Sequence, residues 1–299
     1  MKSRVTLLLI ILLLLATSAH AVPWWKKDFC GNSAVMFKGE DDGTGNWGKY
    51  VIHCRNPHNS YHFKIAKKKT KHPVRKGKQS LRFEVRPGQC GDEDCTTGRE
   101  RSEIEMNSRD LPGKEYWYAW SVYFKNYKTI QNIGVHHGQR KQYNTGYMYP
   151  TFTRLSGGLY VEFGKDVGTY KKYLVIPNKG FSNKWHDFVV HTKWSSTSNG
   201  FFKLWRNGKL LINRKGKNVS TNNPITSRFG IYRPFESKTK SSIKHIVYYD
   251  ELVRGSSCDD VSQFMTCPGG GSLKVTSPNG KEKWKTKKKY TIKWKKGKA

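Results

Sequence analysis

Acidic residues are scarce in this chain. Its 299 residues hold 22 Asp and Glu against 55 Lys and Arg, a net charge of +33. That imbalance disfavours cationic partners and favours polyanions, whose approach a positive field accelerates. Long apolar runs are missing after the first residues, which excludes a later membrane-spanning helix. No Cys-x-x-Cys pair occurs and the histidines are scattered, so the ligand spacing of a zinc site is absent. No long stretch repeats apolar residues every three to four positions, which argues against a helical bundle.

The N-terminus carries a different signal. Lys2 and Arg4 precede an apolar run from Leu7 to Leu15, and Ala19-His20-Ala21 supplies small residues for cleavage. This is the pattern of a secretion signal over 1–21, with the mature chain expected to begin near Val22. A secreted, extracellular location fits the even cysteine count: Cys30, Cys54, Cys90, Cys95, Cys258 and Cys267. Proximity suggests Cys90 with Cys95 and Cys258 with Cys267, leaving Cys30 with Cys54, one of the many pairings six cysteines allow. Inside a cell a basic chain points to nucleic acid. A secreted one meets acidic polysaccharide instead, so that is the expected partner, with no nucleic acid and no membrane span. A monomer is expected.

The last 28 residues hold eleven lysines and Glu282, so the positive excess also fills the body of the chain. Lys67-Lys68-Lys69-Thr70-Lys71 reads as a solvated loop. The body shows strand signals throughout. Leu81, Phe83 and Val85 alternate with Arg82, Glu84 and Arg86. Further segments rich in aromatic and β-branched residues run over Tyr116–Phe124, Leu159–Phe163, Tyr173–Ile176, Phe188–Trp194, Phe229–Tyr232 and Ile243–Tyr249. Asn207-Gly208 between Phe201–Trp205 and Leu210–Ile212 predicts a two-residue hairpin. The fold class is all-β, a sandwich or β-jelly roll (concanavalin-like), whose open face is a natural cleft for a linear polymer. Residues 22–267 form this domain, 268–272 a linker, and 273–299 a partial basic β module resembling the opening strands of small Ig-like domains. The sequon Asn218-Val219-Ser220 would place its loop at the surface.

Three segments gather chemistry-bearing residues. They are Arg99-Glu100-Arg101-Ser102-Glu103-Ile104, Ile133-Gly134-Val135-His136-His137-Gly138-Gln139 and Arg228-Phe229-Gly230-Ile231-Tyr232-Arg233. In order and spacing they resemble the jelly-roll polysaccharide lyases, the group of heparin lyase I, the glucuronan lyases and, more distantly, the alginate lyases. The resemblance runs from about Phe37 to Gly255. It implies cleavage of a uronate polymer by β-elimination, which needs a neutralised carboxylate, a base and an acid. Arg101 matches the arginine that faces the carboxylate, and Glu103 the glutamate that orients it. His137 matches the histidine that serves as base or assists neutralisation, and Tyr232 the tyrosine that acts as acid. Arg228 stands for the usual lysine, and Gln139 and Arg233 join the substrate-binding set. The family's Gln-x-His is met here as Val135-His136-His137, so Gln131, Gln139 or Gln142 must substitute or activity falls. No cofactor is required. A structural calcium is compatible with the family, with Asp92-Glu93-Asp94 as a weak ligand turn that reads better as a solvated acidic one.

Two rival readings remain at this stage. One is an acidic-glycan-binding protein of the same fold without catalysis. The other is a jelly-roll glycoside hydrolase, for which Glu103-Ile104-Glu105 supplies part of the required carboxylates.

Overall fold

The computed structural model describes residues 52–55, 61–90, 93–148, 150–234, 242–264, 267, 273–277 and 288–296. The expected secretion signal, Cys30, Asp92 and the expected 268–272 linker lie outside them, as does the side chain of Cys54.

Period-two alternation builds two seven-stranded sheets. In chain order the strands of the first are β1 (Ile52–Arg55), β4 (Arg99–Asp110), β6 (Val135–Gln142), β7 (Thr151–Leu155), β8 (Gly158–Phe163), β9 (Lys171–Pro177) and β13 (Ile225–Pro234). They lie side by side as β1-β4-β13-β6-β7-β8-β9. The second sheet contains β2 (Phe63–Lys67), β3 (Gln79–Val85), β5 (Glu115–Phe124), β10 (Trp185–Lys193), β11 (Phe201–Arg206), β12 (Lys209–Lys215) and β14 (His245–Gly255). Its order is β12-β11-β10-β5-β14-β3-β2. Every paired strand in both sheets runs antiparallel. A separate ladder joins β15 (Leu273–Ser277) to β16 (Lys293–Lys296). Among the described residues no helix is long and apolar enough to cross a membrane.

The inward faces meet in an aromatic core. Trp120 of β5 touches Phe152, Phe188 and Phe229 at ring separations of 5.1, 5.4 and 5.5 Å, which ties β7, β10 and β13 together. Leu81, Phe83 and Val85 are fully buried, as their alternation predicts. Asn207 and Gly208 both take positive φ, 48° and 78°, the turn that matches strand twist in a two-residue hairpin. Two of the suggested disulfides are present, Cys90–Cys95 and Cys258–Cys267.

Two polar residues of the interior were not foreseen. Arg140 is 1% exposed and lies 5.2–5.3 Å from the ring centres of Tyr118, Trp120 and Phe229, a cation held by aromatic faces. Asn218 corrects the surface reading of the sequon, because it is fully buried. Its amide nitrogen donates to the carbonyls of Lys193 and Phe201, and its oxygen accepts from the Ser195 N–H. The carboxamide closes the loop after β12 onto the ends of β10 and β11.

Candidate active site

β4, β13 and β6 lie next to one another in the first sheet, so their registers decide which side chains meet. On β4, Ile104 and Met106 face the core while Arg101, Glu103 and Glu105 project from the outer face. On β13, Phe229 and Ile231 face inward, and Arg228 and Tyr232 outward. Gly230 has φ +142°, and a Cβ there would sit 2.1 Å from the Ser102 carbonyl oxygen. Only glycine lets β13 approach β4 so closely. The register of β13 against β6 also shifts between Phe229 and Tyr232. After that shift Tyr232 stands opposite Arg101 on one side and His136 on the other.

Two rows of paired residues cross the outer face. Following the registers, the first runs Arg101, Tyr232, His136, Thr153, Tyr160 and Leu174. The second runs Glu105, Arg228, Gln139, Thr151, Glu162 and Lys172. Directly opposed residues share a face, so each row is a line of side chains perpendicular to the strands.

The first row contains the acid and base candidates. The His136 ring stacks on Tyr232 with centroids 5.7 Å apart and planes 19° from parallel. The Arg101 guanidinium lies 4.5 Å over the centre of the same tyrosine ring. His136 Nδ1 and Thr153 Oγ1 share a hydrogen bond of 2.9 Å. Burial pulls the His136 pKa down to about 4, although Glu162 opposes it, so the imidazole is neutral at pH 7. Burial pushes the Tyr232 phenol up, against the pull of Arg101 and Arg99, so it keeps its proton. A neutral imidazole can accept a proton and a phenol can give one, and here they are neighbours.

Charges around the pair are matched by fixed partners. Arg101 donates two hydrogen bonds to Asp94, of 2.9 and 2.8 Å, and lies 3.7 Å from Glu103. Burial disfavours the Arg101 charge, but Glu103 and Asp94 outweigh it and hold the guanidinium above its ordinary value. Arg228 pairs with Glu105 at 2.7 Å, and the Gln139 amide donates to Glu103 at 2.7 Å. Asp94 is only 2% exposed, so the solvated-turn reading of 92–94 is corrected at that residue. It sits on the single-turn helix Glu93–Thr97, tied down by the Cys90–Cys95 disulfide, and supports Arg101. A carboxylate seven residues before an arginine carries no recognisable spacing, which is why sequence reasoning missed it. Among the described residues no cluster of His, Cys, Asp and Glu is arranged to hold a metal.

Two expected site residues lie elsewhere. His137 is 3% exposed and packs against Phe124 and Tyr127 on the inner side. Its Nδ1 lies 3.1 Å from the Gly230 carbonyl, which can only accept, so Nδ1 carries the proton. Nε2 then accepts from the Tyr127 hydroxyl at 2.6 Å. The histidine on the outer face is thus His136, one residue before the expected His137. Alternation turns His136 outward, and a bulge between His136 and Gly138 leaves His137 inside. Arg233 is likewise fully buried. It pairs with Glu100 behind the sheet and donates to the Ile243 carbonyl at 2.7 Å. Following Tyr232 directly, it had to face the other way.

The same shift moves the question of the missing glutamine. Val135 is 1% exposed in the core, and the outward residue two places before His136 is Gly134. Of the possible substitutes, Gln139 lies on the outer face beside Glu103. Gln142 is buried and accepts from Thr221, and Gln131 is exposed in a loop.

Residues 43–253 match the family model for polysaccharide lyases, and the chain belongs to that family. Its fold is similar to that of an endo-β-1,4-glucuronan lyase from the fungus Trichoderma reesei. That likeness has a TM-score of 0.56 at 20% identity, covering 73% of this chain and 96% of the other. It establishes the two-sheet sandwich as a β-jelly roll of the lyase type. An alginate lyase of polysaccharide lyase family 7 is also similar, with a TM-score of 0.47 at 13% identity, covering 67% of this chain and 84% of the other. No curated protein matches the chain in sequence.

Proposed function

We propose that this polysaccharide lyase acts outside the cell and cleaves a uronate-containing chain by β-elimination. The observation that carries the reading is the stacked pair His136 and Tyr232, flanked by Arg101. In the reaction the C5–H bond breaks, its proton goes to the base, and its electron pair delocalises into the neighbouring carboxylate as an enolate. That pair then forms the C4=C5 double bond as the C4–O bond breaks, and the leaving oxygen takes a proton. His136, neutral at ordinary pH, is the base for C5, and Tyr232 is the acid for the departing oxygen. Arg101, held in place by Asp94, faces the carboxylate and offsets the charge that develops next to it. Glu103 and Gln139 fix each other and the arginine's flank, and Arg228 orients the neighbouring sugar.

The test is absorbance of the unsaturated uronate product, read over a panel of acidic polysaccharides. A rise with the native chain that Tyr232→Phe lacks supports the lyase and names its polymer. The position of Gly134 favours one second reading, an acidic-glycan-binding protein, since no side chain stands where the family's glutamine would face the carboxylate. A flat trace on every polymer with tight binding to one would establish that reading instead.

A further inference from the structure

The outer face of the second sheet, on the far side of the molecule from His136 and Tyr232, carries a groove of about 290 Å3. It is lined by Phe201 and Lys203 of β11, Asn213 and Lys215 of β12, and the 198–200 loop. These side chains point away from the core because Phe202 and Leu204, which alternate with them, are buried in it. The registers extend the groove into β10. Phe201 lies between Lys193 and Lys215, and Lys203 lies between His191 and Asn213. His191 in turn stacks on Trp117 at 3.9 Å and meets the edge of Phe201 at 4.7 Å. The floor is therefore a strip of aromatic rings, and three lysines stand along it. None of Lys193, Lys203 and Lys215 forms an ion pair among the described residues. The Lys203 ammonium rests 5.5 Å over the Phe201 ring, a contact that a better anion would displace. Glu115 stands opposite Lys193 in register and shares a hydrogen bond of 2.9 Å with His191.

We infer that this groove is a second binding site for a carboxylated sugar chain. A pyranose presents a flat C–H face, a rim of hydroxyls and, in a uronate, one carboxylate. Aromatic rings cover the first, Asn213 and the polar 198–200 loop meet the second, and the lysines meet the third. The ligand class rests on the reading of acidic polysaccharide as the partner. The site itself does not depend on catalysis.

The experiment uses the full chain carrying Tyr232→Phe, so that nothing is cleaved, titrated calorimetrically with a glucuronate hexasaccharide. Adding Lys203→Ala and Lys215→Ala is expected to remove one bound hexamer from the count while the melting temperature is held. Replacing the exposed Lys68, Lys69 and Lys71 with alanine instead is expected to leave the count unchanged. An unchanged count in the groove variant, or an equal loss in the exposed-lysine control, overturns the inference in favour of general electrostatic attraction. Equal binding of a neutral glucose hexamer in the groove overturns the assignment of a carboxylated ligand. Failure of the lyase reading appears separately, as the lack of unsaturated product, and leaves this count intact.

Discussion

The two faces of the β4–β13–β6 ribbon carry the same residue types and differ in what surrounds them. Outside, Arg101 meets Asp94 and Glu103, and His136 lies on Tyr232. Inside, Arg233 meets Glu100, and His137 is hydrogen-bonded to Tyr127. The inner set closes on itself. Arg233 reaches His245, His245 stacks on Tyr127 at 4.2 Å, and His137 holds the Gly230 carbonyl. The links join β4, β13, β14 and β6, two of them through Tyr127 in the segment after β5, so the inner set fixes the bulge that aligns the outer one. The outer set is supported from beneath and at its sides, and the His136 edge remains half-buried. Residue type alone therefore does not identify a reactive group. The number of directions from which it is already bonded does.

Exchanging the two histidines separates the faces most sharply. His136→Ala should lower turnover by about 10²–10⁴-fold, the usual worth of a positioned base, with the melting temperature little changed. His137→Ala should chiefly destabilise, by about 1–3 kcal/mol in denaturant titration, because it removes the buried hydrogen bonds to the Tyr127 hydroxyl and the Gly230 carbonyl. Equal effects on both readouts from the two variants would erase the distinction drawn here.

Next in size is the inner ion pair. Arg233→Ala leaves Glu100 buried without its cation and should cost about 3–5 kcal/mol, measured by equilibrium unfolding. A fully stable variant with lost activity would instead return Arg233 to the substrate.

Acid separates the faces more gently. Burial holds His136 and His186 at about 4 and His245 at about 3, and pulls His137 well below its ordinary value. Each folded value lies under the unfolded one near 6.5, so the stability these groups confer is complete above that pH. It is lost progressively as pH falls from there through the folded values. Asp250, pushed up to about 8 by burial, works in the opposite sense as pH rises, and the four histidines outnumber it. Melting temperature should therefore drop between pH 7 and 4, while kcat/KM holds until His136 is protonated near 4. An acid limb near 6.5 would show that burial does not hold His136 below its ordinary value. The smallest effect belongs to Glu105→Gln, which keeps a hydrogen-bond acceptor for Arg228 and should change turnover by no more than about twofold, because Glu105 touches neither acid nor base. Loss of activity there would revive the glycoside hydrolase reading.

Much of the fold was legible beforehand because it rests on local rules. Strand β3 was visible in strict alternation, the β11–β12 hairpin in Asn207-Gly208, and two disulfides in proximity. Part of the outer row was legible for the same reason: Arg101 and Glu103 are two apart, Arg228 and Tyr232 four apart, so each pair must share a face. What escaped depends on long-range geometry. The bulge at His137 and the shift at Gly230 reverse which of two adjacent histidines looks outward, and an irregularity of one residue leaves no trace in composition. Asp94 arrives from the single-turn helix before β4, and Arg140 sits among aromatic rings that come from two different strands.

The buried carboxamide of Asn218 has a consequence for the biography of each molecule. An enzyme that attaches glycans at Asn218-Val219-Ser220 needs the amide nitrogen free, and in the finished fold that nitrogen is bonded to two carbonyls between strands. In a host that glycosylates secreted chains, folding and modification therefore compete for one atom. A molecule that carries sugar at Asn218 missed its chance to close that loop. The mass of the product then records which event came first.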